Sequence, residues 1–210
     1  MVRMDVRDSY DSAAEAYAQH VASELARKPL DRHLLNRFAE DVCGGGVVAD
    51  IGCGPGHVAR YLHDQGVNAM GIDLSPAMIA CATRLNPRLD FRVGDMRNLQ
   101  LPSSCLAGVV AFYSIVHFTS GELDGVMREV RRVLAPGGLA LMSFHVGAEV
   151  VHVDDLFGVP VNLDFHFHDP ANVMAALRAA QFTVIEHAQR EPYEGAEYPS
   201  RRCYLLARAL

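Results

Sequence analysis

No run of the 210-residue sequence approaches the roughly 18 uninterrupted apolar residues that a membrane-spanning helix requires, so a bilayer span is not expected. Met1 to Tyr10 mixes Arg3, Asp5, Arg7 and Asp8 and holds no apolar stretch ending in small residues; a secretory signal is therefore not read there, and a cytoplasmic setting is the expectation. Cysteine is sparse. The five, at 43, 53, 81, 105 and 203, are odd in number and include no C-x-x-C pair, which argues against a zinc ribbon or redox dithiol and leaves small core residues. An excess of positive charge is missing too. The net charge of −6 lacks the basic face of a nucleic-acid binder, with Arg131-Arg132 and Arg201-Arg202 as local exceptions. The lack of internal repeats or low-complexity tracts argues against a solenoid or a disordered tail, and the length suits one α/β domain over residues 1–210.

What is present is a rhythm of strands and helices. Residues 10–41 carry helical spacing, with Ala14, Tyr17, Ala18, Val21 and Leu25 on one stripe and Pro29 dividing two helices, so residues 1–43 read as an N-terminal helical cap. Gly44-Gly45-Gly46 breaks that pattern, and Val47 to Ile51 has the continuous apolar character of a strand buried on both faces. Helices near 57–65 and 76–85 then alternate with strands near 68–72 and 89–93. A strand over Gly108 to Tyr113, a helix over Gly121 to Leu134, the turn Ala135-Pro136-Gly137-Gly138 and a strand over Leu139 to Phe144 continue the βαβ pattern of a parallel sheet. Residues 146–168 break it and read as an inserted loop or hairpin over the site. Asp169-Pro170 starts a last helix, and strands near 182–189 and 198–208 end the sheet as a hairpin. The predicted fold is a doubly wound, Rossmann-like α/β sheet of seven strands, mostly parallel, with a C-terminal antiparallel hairpin.

The first strand runs straight into Asp50-Ile51-Gly52-Cys53-Gly54-Pro55-Gly56, placing a glycine turn at the carboxyl end of a central strand, where doubly wound sheets bind ligands. Glycine permits both the unusual dihedrals and close approach of the backbone. The third glycine of the dinucleotide fingerprint falls on His57, which disfavours NAD. Asp50 sits better beside an ammonium group than beside a pyrophosphate. Asp73, about 20 residues beyond the glycine turn, has the spacing of a ribose-binding acid. Asp95, in Gly94-Asp95-Met96, can accept a hydrogen bond from an adenine amino group while Leu74 and Met96 cover the ring.

These motifs, V-A-D-I-G-C-G-P-G at 48–56, G-I-D-L-S at 71–75, G-D-M at 94–96 and R-V-L-A-P-G-G at 132–138, resemble those of the class I S-adenosylmethionine-dependent methyltransferases, especially the small-molecule branch with ubiquinone-biosynthesis-like domains. The resemblance covers nearly the whole chain. It implies S-adenosylmethionine as cofactor, its methionine end held at Asp50, Gly52, Cys53 and Gly54, its ribose at Asp73, its adenine at Leu74, Asp95 and Met96, with Tyr113 closing the floor. Tyr10, in Tyr10-Asp11, and Tyr17 look like that branch's lid helix and are expected to approach the cofactor's amino-acid end.

The expected activity is methyl transfer to O, N or S of a small metabolite by in-line displacement, which needs alignment and exclusion of water more than a dedicated base. Where a proton must leave the acceptor, His117 is the first candidate base and His145 the second. His152, His166 and His168 form a nominal cluster without carboxylate or thiolate partners at convincing spacing, so no metal is expected. Tyr198, Arg201 and Arg202 could meet an anionic acceptor or merely guard a sheet edge. Two further readings stay open: a cofactor-binding scaffold or non-methylating catalyst on the same fold, and a nucleic-acid methyltransferase. The latter is disfavoured by Ala111-Phe112-Tyr113-Ser114 in place of an N-P-P-Y-like segment.

Overall fold

A computed structural model describes residues 4–195 and 197–210. Its cap consists of α1 (Val6–Val21) and α2 (Pro29–Val42), separated by a 3-10 turn at Glu24–Arg27. Asp5 caps α1 by accepting the Asp8 amide, and Pro29 opens α2 at a position where its missing N–H costs nothing. Five strands follow in chain order: β1 (Val47–Ile51), β2 (Asn68–Asp73), β3 (Asp90–Val93), β4 (Leu106–Phe112) and β5 (Leu134–His145). The helices α3 (His57–Asp64), α4 (Pro76–Leu85) and α5 (Leu123–Val133) connect them, as the alternating pattern predicts.

The region after β5 is a hairpin of its own, β6 (Val150–Leu156) and β7 (Val159–His166), followed by α6 (Pro170–Ala179), β8 (Phe182–Arg190) and β9 (Arg202–Ala209). Strand order in the main sheet is β3-β2-β1-β4-β5-β9-β8, seven strands, with β9 antiparallel to both its neighbours. The expected strand near 198–208 begins only at Arg202, because Arg202 Nη1 donates to the carbonyls of Tyr198 and Ser200 and folds that stretch into a turn. The glycine turn at 135–138 lies within β5 as a bulge: Leu106 pairs with Leu134, but Gly108 pairs with Leu139.

Alternation along the central strands divides the core into two layers. Ala49, Val109 and Met142 pack on the α5 and α6 side, while Val48, Val110 and Leu141 pack against α2 and α3. A sheet buried on both faces leaves its carboxyl edge as the place where polar groups can meet a ligand. The cap and the β6–β7 hairpin close over that edge together. Ala13 of α1 is buried with Val161 and Leu163 of β7, and the buried Ser9 hydroxyl bonds the backbone of Asn162 on both sides.

Candidate active site

The glycine turn is built as the sequence demands. Gly52, Gly54 and Gly56 have φ of +75°, +51° and +80°, and a Cβ on Gly52 would lie 2.3 Å from that of Ser114. The amides of Gly52 and Cys53 both donate to the Ile72 carbonyl, stitching the turn to the end of β2. Asp73 completes the seam: its Oδ2 accepts from the Gly54 amide at 2.8 Å and its Oδ1 from the Ser75 amide at 2.9 Å. Burial raises the Asp73 pKa, and these backbone bonds work against the rise.

The other two strand-end acids are held differently. Asp50, 2% exposed, accepts the Ala59 amide in the first turn of α3 at 3.1 Å. Burial pushes its carboxyl up to about 7, opposed by nearby His57. Asp95 is half-buried and gripped by Arg97 through its amide and guanidinium, which holds the carboxyl below its ordinary value. The Cys53 thiol is buried, and its pKa is driven upward by desolvation.

Among the described residues two adjoining cavities open at this edge, one of about 170 Å³ and one of about 460 Å³. Tyr10, Tyr17, Gly52, Gly54 and Tyr113 line both; Asp73, Leu74, Asp95 and Met96 line the smaller; Asp50 and Cys53 line the larger. Tyr113, a non-glycine residue at φ +53°, stands where the two meet.

Helix α1 lies across the seam. Tyr17 comes within 3.6 Å of where a Cβ on Gly54 would be, and Tyr10 meets Tyr17 edge-on at 6.0 Å. Asp11 anchors the helix by accepting from the Ser75 hydroxyl and the Ala77 amide at the start of α4. From the other side Phe157, at φ +57° in the two-residue turn of the β6–β7 hairpin, stacks on His20 of α1 at 3.8 Å.

The two candidate histidines fall on different sides of Tyr113. His117 lines the smaller cavity; its Nε2 is 2.7 Å from the Tyr10 hydroxyl and its Nδ1 3.3 Å from the Asp164 carbonyl, so both nitrogens are engaged. Burial depresses its pKa to about 4. His145 lines the larger cavity, stacked on Phe167 at 4.9 Å, with Nδ1 2.7 Å from the Ser200 hydroxyl. Burial, with Arg202 and Lys28 nearby, depresses it to about 3. His152 pairs with Asp164 on the hairpin, and the buried His168 faces the Ile115 carbonyl; no group of three or more metal-ligating side chains converges among the described residues. Arg201 pairs with Glu191 at the surface, whereas Tyr198 and the buried Arg202 line the larger cavity.

A cluster that the sequence pattern did not single out forms one end of this cavity. Lys28, the only lysine in the sequence, lies 2.9 Å from Glu24, 3.7 Å from Glu197 and 5.1 Å from the centre of the Tyr113 ring. Glu24 also meets His57 Nε2 at 2.8 Å. Glu197, with a side chain 1% exposed, receives both guanidinium nitrogens of Arg190 at 2.5 and 2.8 Å, and Arg190 reaches on to Asp31 at 3.0 Å. The spacing of Glu24 and Lys28 is a helical i,i+4 pair and was the one local signal available.

A parallel-centred sheet with a glycine turn after β1, an acid ending β2 and a cavity pair at its carboxyl edge defines a nucleoside-binding α/β protein. Residues 48–138 match the family described as the methyltransferase domain. A sterol 24-C-methyltransferase of Gibberella zeae is 28% identical over 86% of this chain and 47% of its own length. A malonyl-acyl-carrier-protein O-methyltransferase of Pectobacterium atrosepticum is 33% identical over 64% of this chain and 50% of its own. The chain thus spans about half the length of these curated relatives. In fold, the solved structure of the 4+2 cyclase SpnF is similar over 97% of this chain and 94% of that one, at 20% identity and a TM-score of 0.74. The matched domain and these relatives support a class I S-adenosylmethionine-dependent methyltransferase, with S-adenosylmethionine as its cofactor.

Proposed function

We propose that the chain moves the methyl group of S-adenosylmethionine to a nucleophilic atom, O, N or S, of a small molecule seated in the larger cavity. The observation that carries this reading is the Asp73 carboxylate bonded to the Gly54 amide, which places the glycine turn and the β2 acid in one rigid cradle facing both cavities. The residues present fit a sulfonium nucleoside. Gly52 has no room for a Cβ, the buried Ser114 hydroxyl has no protein partner among the described residues, and Leu74 and Met96 supply apolar walls beside the Asp73 carboxylate. When bound, the cofactor supplies an electrophilic methyl group on its sulfonium.

The chain's own part is to hold, orient and exclude water. Asp73 would take the ribose hydroxyls with the lone pairs its backbone donors leave free, and Asp50 would compensate the positive charge of the methionine end. Leu74, Met96 and Asp95 would enclose the adenine, while Tyr10, Tyr17 and Tyr113 shut the space around the reacting centre. His145, on the acceptor side, is neutral at pH 7 and would bond the acceptor group or take its proton; His117, tied to Tyr10, would hold the cap closed. Residues 1–210 would work as one domain, with cap and hairpin as its cover.

Because the same fold carries a cyclase, the test separates binding from transfer. Calorimetric titration should show binding of S-adenosylmethionine and S-adenosylhomocysteine but not NAD, and Asp73→Ala should weaken it by about tenfold or more. Binding of NAD alone would overturn the cofactor reading. Incubation with labelled cofactor and a metabolite panel should form S-adenosylhomocysteine only when an acceptor is present; bound cofactor with no turnover across a broad panel would favour a scaffold or non-methylating catalyst.

A further inference from the structure

We propose that the larger cavity selects an uncharged, largely apolar acceptor, and that it rejects carboxylates and phosphates. This rests on the methyl-transfer reading only for the word acceptor.

The hairpin covers this cavity mostly with apolar side chains: Val153 and Leu156 of β6, Phe165 of β7 and the following Phe167 line it along with Tyr113 and Tyr198, and the charged side chain the hairpin adds is Asp155, an anion. An apolar wall favours a neutral ligand by the area removed from water and penalises a bare charge. Anion-binding sites overcome that penalty with free cations, so the state of the cations decides the matter. Lys28 and Arg202 are the lysine and the arginine that line this cavity. Neither is free. Lys28 lies between Glu24 and Glu197, and Arg202 Nη1 donates to the Tyr198 carbonyl at 2.7 Å and to that of Ser200, with its Nε 3.6 Å from Glu197.

Behind them the charges balance: Lys28, Arg190 and Arg202 stand against Glu24, Asp31 and Glu197. Their neighbours hold the carboxyls of Glu24 and Glu197 down near 2, so both are firmly anionic. An entering anion would have to share these donors beside two carboxylates, or displace a buried one. His145 gives this lining a polar group that is neutral at pH 7. Ser200 orients its Nδ1 and Phe167 stacks on its ring.

The experiment compares two probes with one ring system and different charge, 1-naphthol and 1-naphthyl phosphate, titrated into protein saturated with S-adenosylhomocysteine. Naphthol should bind, and the phosphate should bind about tenfold or more weakly. Phe167→Ala should weaken naphthol, and Glu197→Gln, which releases donors of Lys28 and Arg202, should narrow the ratio. If Glu197→Gln fails a thermal-melt check for folding, the wild-type pair and Phe167→Ala still decide. Equal or tighter binding of the phosphate overturns the proposal, as does failure of naphthol to bind at its solubility limit. Failure of S-adenosylhomocysteine itself to bind counts against the cofactor reading instead, and naphthol titrated alone then still tests the cavity.

Discussion

The Tyr10 hydroxyl lies 2.7 Å from His117 Nε2, joining the cap helix to the loop after β4, while the other nitrogen of the same ring reaches the Asp164 carbonyl of the β6–β7 hairpin. A carbonyl can only accept, so Nδ1 carries the proton and Nε2 accepts from Tyr10. One imidazole thus ties together the three pieces that enclose the site.

Tyr10→Phe removes the hydroxyl and leaves a buried ring nitrogen without its donor, a loss of about 1–3 kcal/mol. The melting temperature should fall by several degrees, since each kcal/mol is worth about 2–4 °C in a domain of this size. Because Tyr10 also lines both cavities, cofactor affinity should fall with it. An unchanged melting temperature measured by calorimetry would remove this tie from the account of the closed cap.

Asp50 yields a pH signature. Its folded pKa, raised to about 7 from an ordinary 3.8, means that its contribution to stability is present at low pH and lost as pH rises through about 7. Asp50→Asn keeps an acceptor for the Ala59 amide and removes the charge. Relative to wild type the variant should be more stable above pH 7, with the gap closing as pH falls. Binding should move the opposite way. Wild-type affinity for S-adenosylmethionine should rise with pH through the same range, and the variant should bind more weakly with a flat profile.

His145 has the reverse sign. Its folded pKa, about 3, lies below the ordinary 6.5, so its contribution is intact above 6.5 and is lost as pH falls toward the folded value. Melting curves of wild type and His145→Gln should therefore converge, or cross, as the solution is acidified from neutrality toward about pH 4. A constant difference across that range would place a protonated ring in the cavity.

The parts legible in the sequence are those set by neighbours along the chain. The glycine turn needs only three positive φ angles within five residues, and the β/α rhythm needs only local hydrophobic periodicity, so β1 to β5 and α2 to α6 lie close to where the pattern puts them. Asp50 is the next-to-last residue of β1, Asp73 the last of β2 and Asp95 lies two residues beyond β3, so their places near the strand ends follow from where each local pattern stops. What each acid does was not legible. Asp50 caps a helix and Asp95 is gripped by Arg97, and those partners depend on how the backbone turns after the strand.

Contiguous residues were enough to set the β/α alternation and the glycine turn, since both depend on neighbours along the chain. Which histidine faces which cavity, and the neutralisation of Lys28 and Arg202 in the larger one, follow from long-range packing. The bond from Tyr204 to Asp31 spans 173 residues and that from Tyr10 to His117 spans 107. No local periodicity encodes such pairings; they arise when β9 inserts beside β5 and the hairpin folds back over α1, bringing distant side chains into a shared, water-poor space where charge must be matched.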